Sequence, residues 1–131
     1  MAKTKRQLWV AVVEDDAGMR EALQALLEAA GFSSSGYGSA EAFLRSARAR
    51  SAGCILVDMH LPGMSGLQFY GRLRARGAAP PGVLLTGRRD RDGDLQAEAR
   101  AAGMSGVLYK PFTAEALLQL LRPIVARRRK T

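Results

Sequence analysis

Four short apolar runs in this chain each end on a polar or charged residue. Val10-Ala11-Val12-Val13 leads into Glu14-Asp15, Cys54-Ile55-Leu56-Val57 into Asp58, Val83-Leu84-Leu85 into Thr86, and Gly106-Val107-Leu108-Tyr109 into Lys110-Pro111. Runs this short with no polar break read as strands buried on both faces. Longer stretches with apolar residues at helical spacing lie between them. Strands alternating with helices imply a parallel sheet covered on both faces. In such a sheet the C-terminal strand ends lie side by side and the ligand crevice opens there. Three carboxylates, a hydroxyl and an ammonium therefore converge on one spot. That set suits a divalent cation and a phosphoryl group, with Asp58 as acceptor.

The punctuation fills in the rest. The pattern predicts a strand over 8–13 and a helix over 17–30, carried by Met19, Leu23, Leu26, Leu27 and Ala30 and stopped by Gly31. A Ser-rich stretch over 32–37 reads as a weaker, edge strand. Ser39 caps a helix over 40–49 bearing Ala42, Phe43 and Ala47. A strand over 54–57 follows, then the loop Pro62-Gly63-Met64. Ser65-Gly66-Leu67-Gln68 is a capping box that opens a helix reaching about Arg76. A connection containing Pro80-Pro81 leads to a strand over 83–86 and a polar segment over 88–93. A helix over 94–102 ends at Gly103, and 106–109 form the fifth strand. Thr113 caps a last helix with Leu117, Leu118 and Leu121 on its inner side. Pro123 lacks a backbone donor and crowds the preceding turn, so this helix is expected to kink or stop near Leu121. The organisation is a basic lead over 1–7, one domain over 8–122, and a basic tail or interdomain linker over 123–131.

Composition sets outer limits. The 131 residues suffice for one buried core, and 47% hydrophobic with 24% charged residues is the balance of a soluble globular chain. No apolar run reaches membrane-spanning length and no export segment is evident, which fits the cytoplasm. The single cysteine, Cys54, permits no intrachain disulfide and reads as a small core residue. The net charge of +8 is concentrated at Lys3, Lys5 and Arg6 and at Arg127-Arg128-Arg129-Lys130, with the remaining arginines scattered over helices. Solvated termini explain this better than direct DNA binding, which is not expected of this chain.

Four motifs in order carry a resemblance: Val13-Glu14-Asp15-Asp16, Leu56-Val57-Asp58-Met59-His60-Leu61-Pro62-Gly63-Met64-Ser65-Gly66, Leu85-Thr86-Gly87 and Tyr109-Lys110-Pro111-Phe112. Over residues 8–121 the chain resembles the receiver domains of two-component response regulators, the CheY-like superfamily. Gly31-Phe32, Ser39-Ala40-Glu41-Ala42-Phe43-Leu44 and Leu85-Thr86-Gly87 are most similar to the FixJ/NarL-type branch, receivers that precede a LuxR-type DNA-binding domain. The resemblance implies a (βα)5 doubly wound parallel five-stranded α/β sheet, flavodoxin-like, in the order 2-1-3-4-5. It implies a phosphoacceptor switch rather than an enzyme, served by a sensor histidine kinase. Its output face is the fourth helix, fifth strand and fifth helix, a surface for phosphorylation-dependent homodimerisation.

The residues take roles within that resemblance. A carboxylate is a poor nucleophile until its charge is managed, and Mg²⁺ (or Mn²⁺) does this with oxygen ligands. By resemblance Asp15 and Asp58 ligate the metal directly, the His60 backbone carbonyl is a third ligand, and Glu14 acts through water. Lys110 brings a movable positive charge to a phosphoryl oxygen and Thr86 a hydroxyl to another. Gly87 leaves room beside the acceptor. The resemblance implies a cis Lys110-Pro111 bond. The His60 ring and Arg88 stand at the rim, where they tune dephosphorylation, and 87–93 is expected to respond to phosphorylation. One position departs from the family pattern. Where receivers usually carry Tyr or Phe, three residues before the lysine, this chain has Val107, and Tyr109 projects to the face opposite Lys110.

Other readings fit less well. A haloacid-dehalogenase-type phosphatase wants a second carboxylate two residues after its nucleophile, where His60 stands. A flavin site wants a phosphate-cradling loop where Glu14-Asp15-Asp16 would repel phosphate. A stand-alone receiver acting through protein contacts and a pseudo-receiver docking module remain as alternatives, the latter opposed by the complete set Glu14, Asp15, Asp58, Thr86 and Lys110.

Overall fold

The computed structural model describes residues 9–87 and 94–129. The lead over 1–7 with Leu8, Arg88 with the rest of 88–93, and the last two residues lie outside the described residues. Five parallel strands make one sheet: β1 (Trp9–Val13), β2 (Ser33–Tyr37), β3 (Cys54–Asp58), β4 (Gly82–Thr86) and β5 (Gly106–Tyr109). Their spatial order is β2-β1-β3-β4-β5, every neighbouring pair parallel. The connections carry α1 (Ala17–Ala29), α2 (Ala40–Arg45), α3 (Gly66–Ala75) and α4 (Asp94–Ala101), and α5 (Ala114–Arg129) follows β5. This is the expected (βα)5 order.

Period-two alternation along the strands divides the core in two. Trp9, Ala11, Val13, Ile55, Val57 and Leu84 meet Phe43 of α2, Phe69 and Leu73 of α3, and Leu95 of α4. Val10, Val12, Cys54, Leu56, Val83 and Leu85 meet Leu23 and Leu27 of α1 and Leu117 and Leu121 of α5. The three central strands are buried throughout, whereas β2 and β5 at the edges are partly exposed. Burying each of these Leu, Ile or Phe side chains contributes about 1.5–3 kcal/mol. No described helix is long and apolar enough to cross a membrane.

Two helix ends depart from the sequence reading. α2 stops at Arg45 instead of about 49, because Ser46 adopts an extended conformation and shares a 3.2 Å hydrogen bond with the Tyr37 hydroxyl. A separate 3-10 turn, Ala49–Ser51, then leads to β3. α5 does not stop near Leu121 but runs through Pro123 to Arg129. Ile124 and Val125, beyond the proline, are buried in the same cluster as Leu117 and Leu121 and hold the helix to the sheet. The carbonyl deprived of its donor belongs to Gln119, which is exposed like Pro123 itself, so solvent can replace the missing bond. Leu118, expected on the inner side, is half-buried, and Leu120 packs against the core in its place.

Candidate functional site

The site forms where β1, β3 and β4 end. Glu14 follows β1 directly, and its backbone is fixed on both sides: its N–H donates to Tyr37 O at 3.0 Å, and its carbonyl accepts from Arg20 Nη1 at 2.7 Å. Asp16 is the N-cap of α1, accepting from Met19 N at 3.1 Å, while its own N–H donates to Glu14 Oε2 at 3.2 Å. Asp15 lies between these two tethers and is exposed. Asp58 is the last residue of β3 and is only 5% exposed; Glu14 is 2% and Thr86 0% exposed. Carboxylate oxygens of Glu14, Asp15 and Asp58 all come within 4.8 Å of one another.

Among the described residues one ammonium offsets part of this concentration of charge. Lys110 Nζ stands 2.7 Å from Asp58 Oδ1 and 3.4 Å from Glu14 Oε1. Its backbone N–H donates to Thr86 O at 2.7 Å, so the ends of β4 and β5 are stitched together beside Asp58, and the Lys110-Pro111 bond is cis. The second Asp58 oxygen, Oδ2, accepts from His60 N at 3.1 Å. His60 is exposed and opens a two-residue antiparallel ladder, His60–Leu61 with Met64–Ser65, turned by Gly63 at φ +80°. Ser65 then caps α3 through the expected reciprocal box with Gln68. Gly66 is required here. A Cβ on it would meet the Asp58 carbonyl oxygen at 2.4 Å and Val57 Cγ1 at 2.9 Å, and its N–H donates to Met59 O at 2.7 Å.

Burial sets the electrostatics. Desolvation raises Glu14 above the ordinary carboxylate range, opposed by the Asp16 N–H and reinforced by the Asp58 charge. Burial alone would lower Lys110; the hydrogen bond and charge of Asp58, then those of Glu14, outweigh it and leave the ammonium above its ordinary value. Lys110 is therefore firmly protonated at neutral pH. Three carboxylates offered against one ammonium leave negative charge uncompensated, and an all-oxygen donor set of this kind suits a hard cation.

The sequence-derived residues Glu14, Asp15, Asp58, Thr86 and Lys110 are thus gathered at one strand edge. A Cβ at Gly87 would meet no atom of the described residues within 4 Å. Val107 is half-buried and packs against the same cluster as Leu95 and Ala99 of α4, with Tyr109 on its side of the sheet. Arg88 lies outside the described residues. Arg20 was missed by the sequence reading. Its stem runs over β2, where a Cβ at Gly36 would come within 3.0 Å of Arg20 Cδ and Cγ. Gly36 within the Ser-rich strand and Gly38 just after it were the available sign of such a close approach.

Sheet order and strand-edge chemistry together define a receiver. The chain belongs to the response regulator receiver domain family, which matches it over residues 10–122. It is similar to the transcriptional regulatory protein FixJ of Azorhizobium caulinodans, 37% identical over 118 residues that cover 90% of this chain and 55% of FixJ. Full-length FixJ from B. japonicum matches in structure with a TM-score of 0.82 and 31% identity, over 95% of this chain and 60% of that one. The chemotaxis protein CheY4 of Vibrio cholerae matches with a TM-score of 0.79 and 26% identity, over 90% of this chain and 98% of that one. The likeness to FixJ agrees with the branch indicated by the motifs. The chain spans about half the length of the FixJ relatives it matches.

Proposed function

We propose that this chain is the phosphorylation-controlled switch of a two-component phosphorelay, with Asp58 taking a phosphoryl group from a phosphohistidine of a cytoplasmic sensor kinase. The observation that carries this reading is the setting of Asp58: buried at the end of a central strand, 2.7 Å from Lys110 Nζ, with two further carboxylates within 4.8 Å. An Asp58 oxygen attacks phosphorus, the P–N bond breaks, and the imidazole leaves with the electron pair. An acyl phosphate results. Lys110 stays protonated and follows the negative charge from the carboxylate to a phosphoryl oxygen. Thr86 supplies a hydroxyl donor to another. Asp15, Asp58 and the His60 carbonyl, with Glu14 through water, are the residues to hold Mg²⁺ or Mn²⁺, which would neutralise charge on the phosphoryl oxygens. Hydrolysis of the acyl phosphate resets the switch, and the His60 ring and Arg88 tune its rate. The added charge of about −1.5 to −2 draws Lys110 and Thr86 inward and alters the α4–β5–α5 face. That face then forms a homodimer and controls an output, transcription by analogy with FixJ.

Acetyl phosphate with Mg²⁺ tests the acceptor. Intact-mass spectrometry should find one acid-labile phosphoryl group on the wild type and none on Asp58→Asn. Acid-stable modification of Ser or Thr overturns the assignment. Sedimentation with and without beryllofluoride tests the dimer separately, and a monomer under both conditions removes it.

A further inference from the structure

Six arginines dispersed through the sequence meet at the end of the sheet opposite the acidic cleft. Arg48 precedes β3, with its guanidinium carbon 4.3 Å over the ring of Trp9 at the start of β1. Arg50 donates to Ala78 O and, at 3.3 Å, to Leu73 O, which joins the entry to β3 to the end of α3. Arg72 and Arg74 occupy the last turn of α3 and Arg76 is its C-cap. Arg74 donates to Ala102 O at 3.3 Å, just past α4, and lies so close over Gly103 that a Cβ there would fall 1.4 Å from Nη1. Arg100 is in the last turn of α4. Ser105 lines both the cleft beside Arg100 and an open cavity of about 570 Å³ beside Arg74, so the arc is continuous.

Helix termini account for only part of this charge. α2, α3 and α4 end here, and each C-terminus carries about −0.5 of an elementary charge, about −1.5 in all. Six guanidinium groups leave a surplus of about +4.5 by the same arithmetic. No acid offsets it. Between Glu41 and Asp94 the described residues include one carboxylate, Asp58, and that lies at the far end of the sheet. Strands of five residues separate the two ends by about 16 Å, beyond the Debye length of about 8 Å at physiological salt. Arg72, Arg76 and Arg100 are exposed and have no carboxylate within ion-pair distance among the described residues.

The chemistry of the surface selects the partner. Guanidinium groups match phosphate oxygens two at a time, and every cation of the arc is an arginine. Between them the surface is Gly77, Ala78, Gly103 and Ser105, with the half-buried Ala79 and Pro81. Tyr70, the large apolar side chain nearby, is buried with its hydroxyl bonded to Pro80 O at 2.6 Å. A protein partner would want an exposed aromatic or aliphatic anchor at the centre, and the arc has none. Contact with a phosphate backbone needs no such anchor. We propose that this arginine arc binds the phosphate backbone of duplex DNA without reading its bases, with the acidic cleft turned away from the duplex.

Fluorescence anisotropy of a labelled random-sequence duplex, titrated with the full chain between about 50 and 200 mM salt, tests this. Binding should weaken steeply with salt. Arg72→Gln/Arg76→Gln/Arg100→Gln should weaken it at least tenfold at the lowest salt. The triple variant should also lower the slope of log K against log salt by about 2.7, roughly 0.9 per lost phosphate contact. Lys3→Gln/Lys5→Gln/Arg6→Gln removes the same charge from the chain terminus and should change both much less. Thermal melts confirm that each triple variant is folded. No binding at the lowest salt, or equal loss from the two triples, overturns the proposal. Labelled polyglutamate binding as tightly as the duplex overturns the nucleic-acid assignment in favour of an acidic protein.

Discussion

The two ends of this sheet both concentrate charge of one sign, and they handle it in opposite ways. At the C-terminal end Glu14, Asp15 and Asp58 bring carboxylate oxygens within 4.8 Å, two of the three residues being buried, around a single ammonium. At the N-terminal end arginines stand exposed on separate helices and turns, and Arg50 and Arg74 are tied to backbone carbonyls. Coulomb energy scales inversely with dielectric and distance, so the same number of charges matters far more in the cleft than on the arc. The cleft stores repulsion that a bound cation can relieve and that a covalent phosphoryl group would increase. The arc, spread out and exposed to solvent, stores much less.

This contrast can be broken most directly at Asp58. Asp58→Asn should abolish acetyl phosphate modification outright and leave salt-dependent DNA anisotropy unchanged; parallel loss of both would show that the two ends are coupled. Asp15→Asn should weaken Mg²⁺ binding at least tenfold by calorimetric titration, since one of the two carboxylates proposed as direct ligands becomes neutral. An unchanged isotherm would remove Asp15 from the ligand set. Gly66→Ala should cost about 1–3 kcal/mol in urea unfolding, because the new methyl meets the backbone of Asp58. The pH dependence is subtler. Glu14 titrates above its unfolded value, so the folded state holds that proton more tightly. Its contribution to stability is full below about pH 4.5 and is lost as pH rises through the folded pKa. In chelator, Glu14→Gln should flatten this fall and melt higher than wild type at neutral pH, whereas added Mg²⁺ should narrow the gap. Lys110 titrates above its ordinary value too, so its stabilising pairing persists through neutrality and fails only in strong alkali. The smallest effect belongs to the arc. Arg72→Gln or Arg76→Gln should shift stability by no more than about 0.5 kcal/mol.

Most of the cleft was legible because each of its side chains sits at the end of an apolar run. Asp58 and Thr86 close their strands and Lys110 follows β5, so strand pairing alone brings them together. Helix starts were equally plain, with Ser39, Ser65 and Thr113 each accepting from a backbone N–H three residues on. Helix ends were not. α2 ends through a tertiary contact between Ser46 and Tyr37, and α5 continues past Pro123 because Ile124 and Val125 are buried. Neither cause is local in sequence. The arginine arc was illegible for the same reason. Arg48, Arg74 and Arg100 are far apart along the chain, and only the shared direction of the helices places their ends on one side.

Gly66 gives the acceptor a mechanical polarity. On one side of Asp58 the first turn of α3 presses against its backbone so closely that a single methyl would collide. On the β4 side, a Cβ at Gly87 would meet no atom of the described residues within 4 Å. A group added to Asp58 therefore works against an anvil. Displacement of the Asp58 backbone toward α3 is opposed by that contact. Under the proposed phosphorylation of Asp58, the packing beneath it would set the direction in which the site yields.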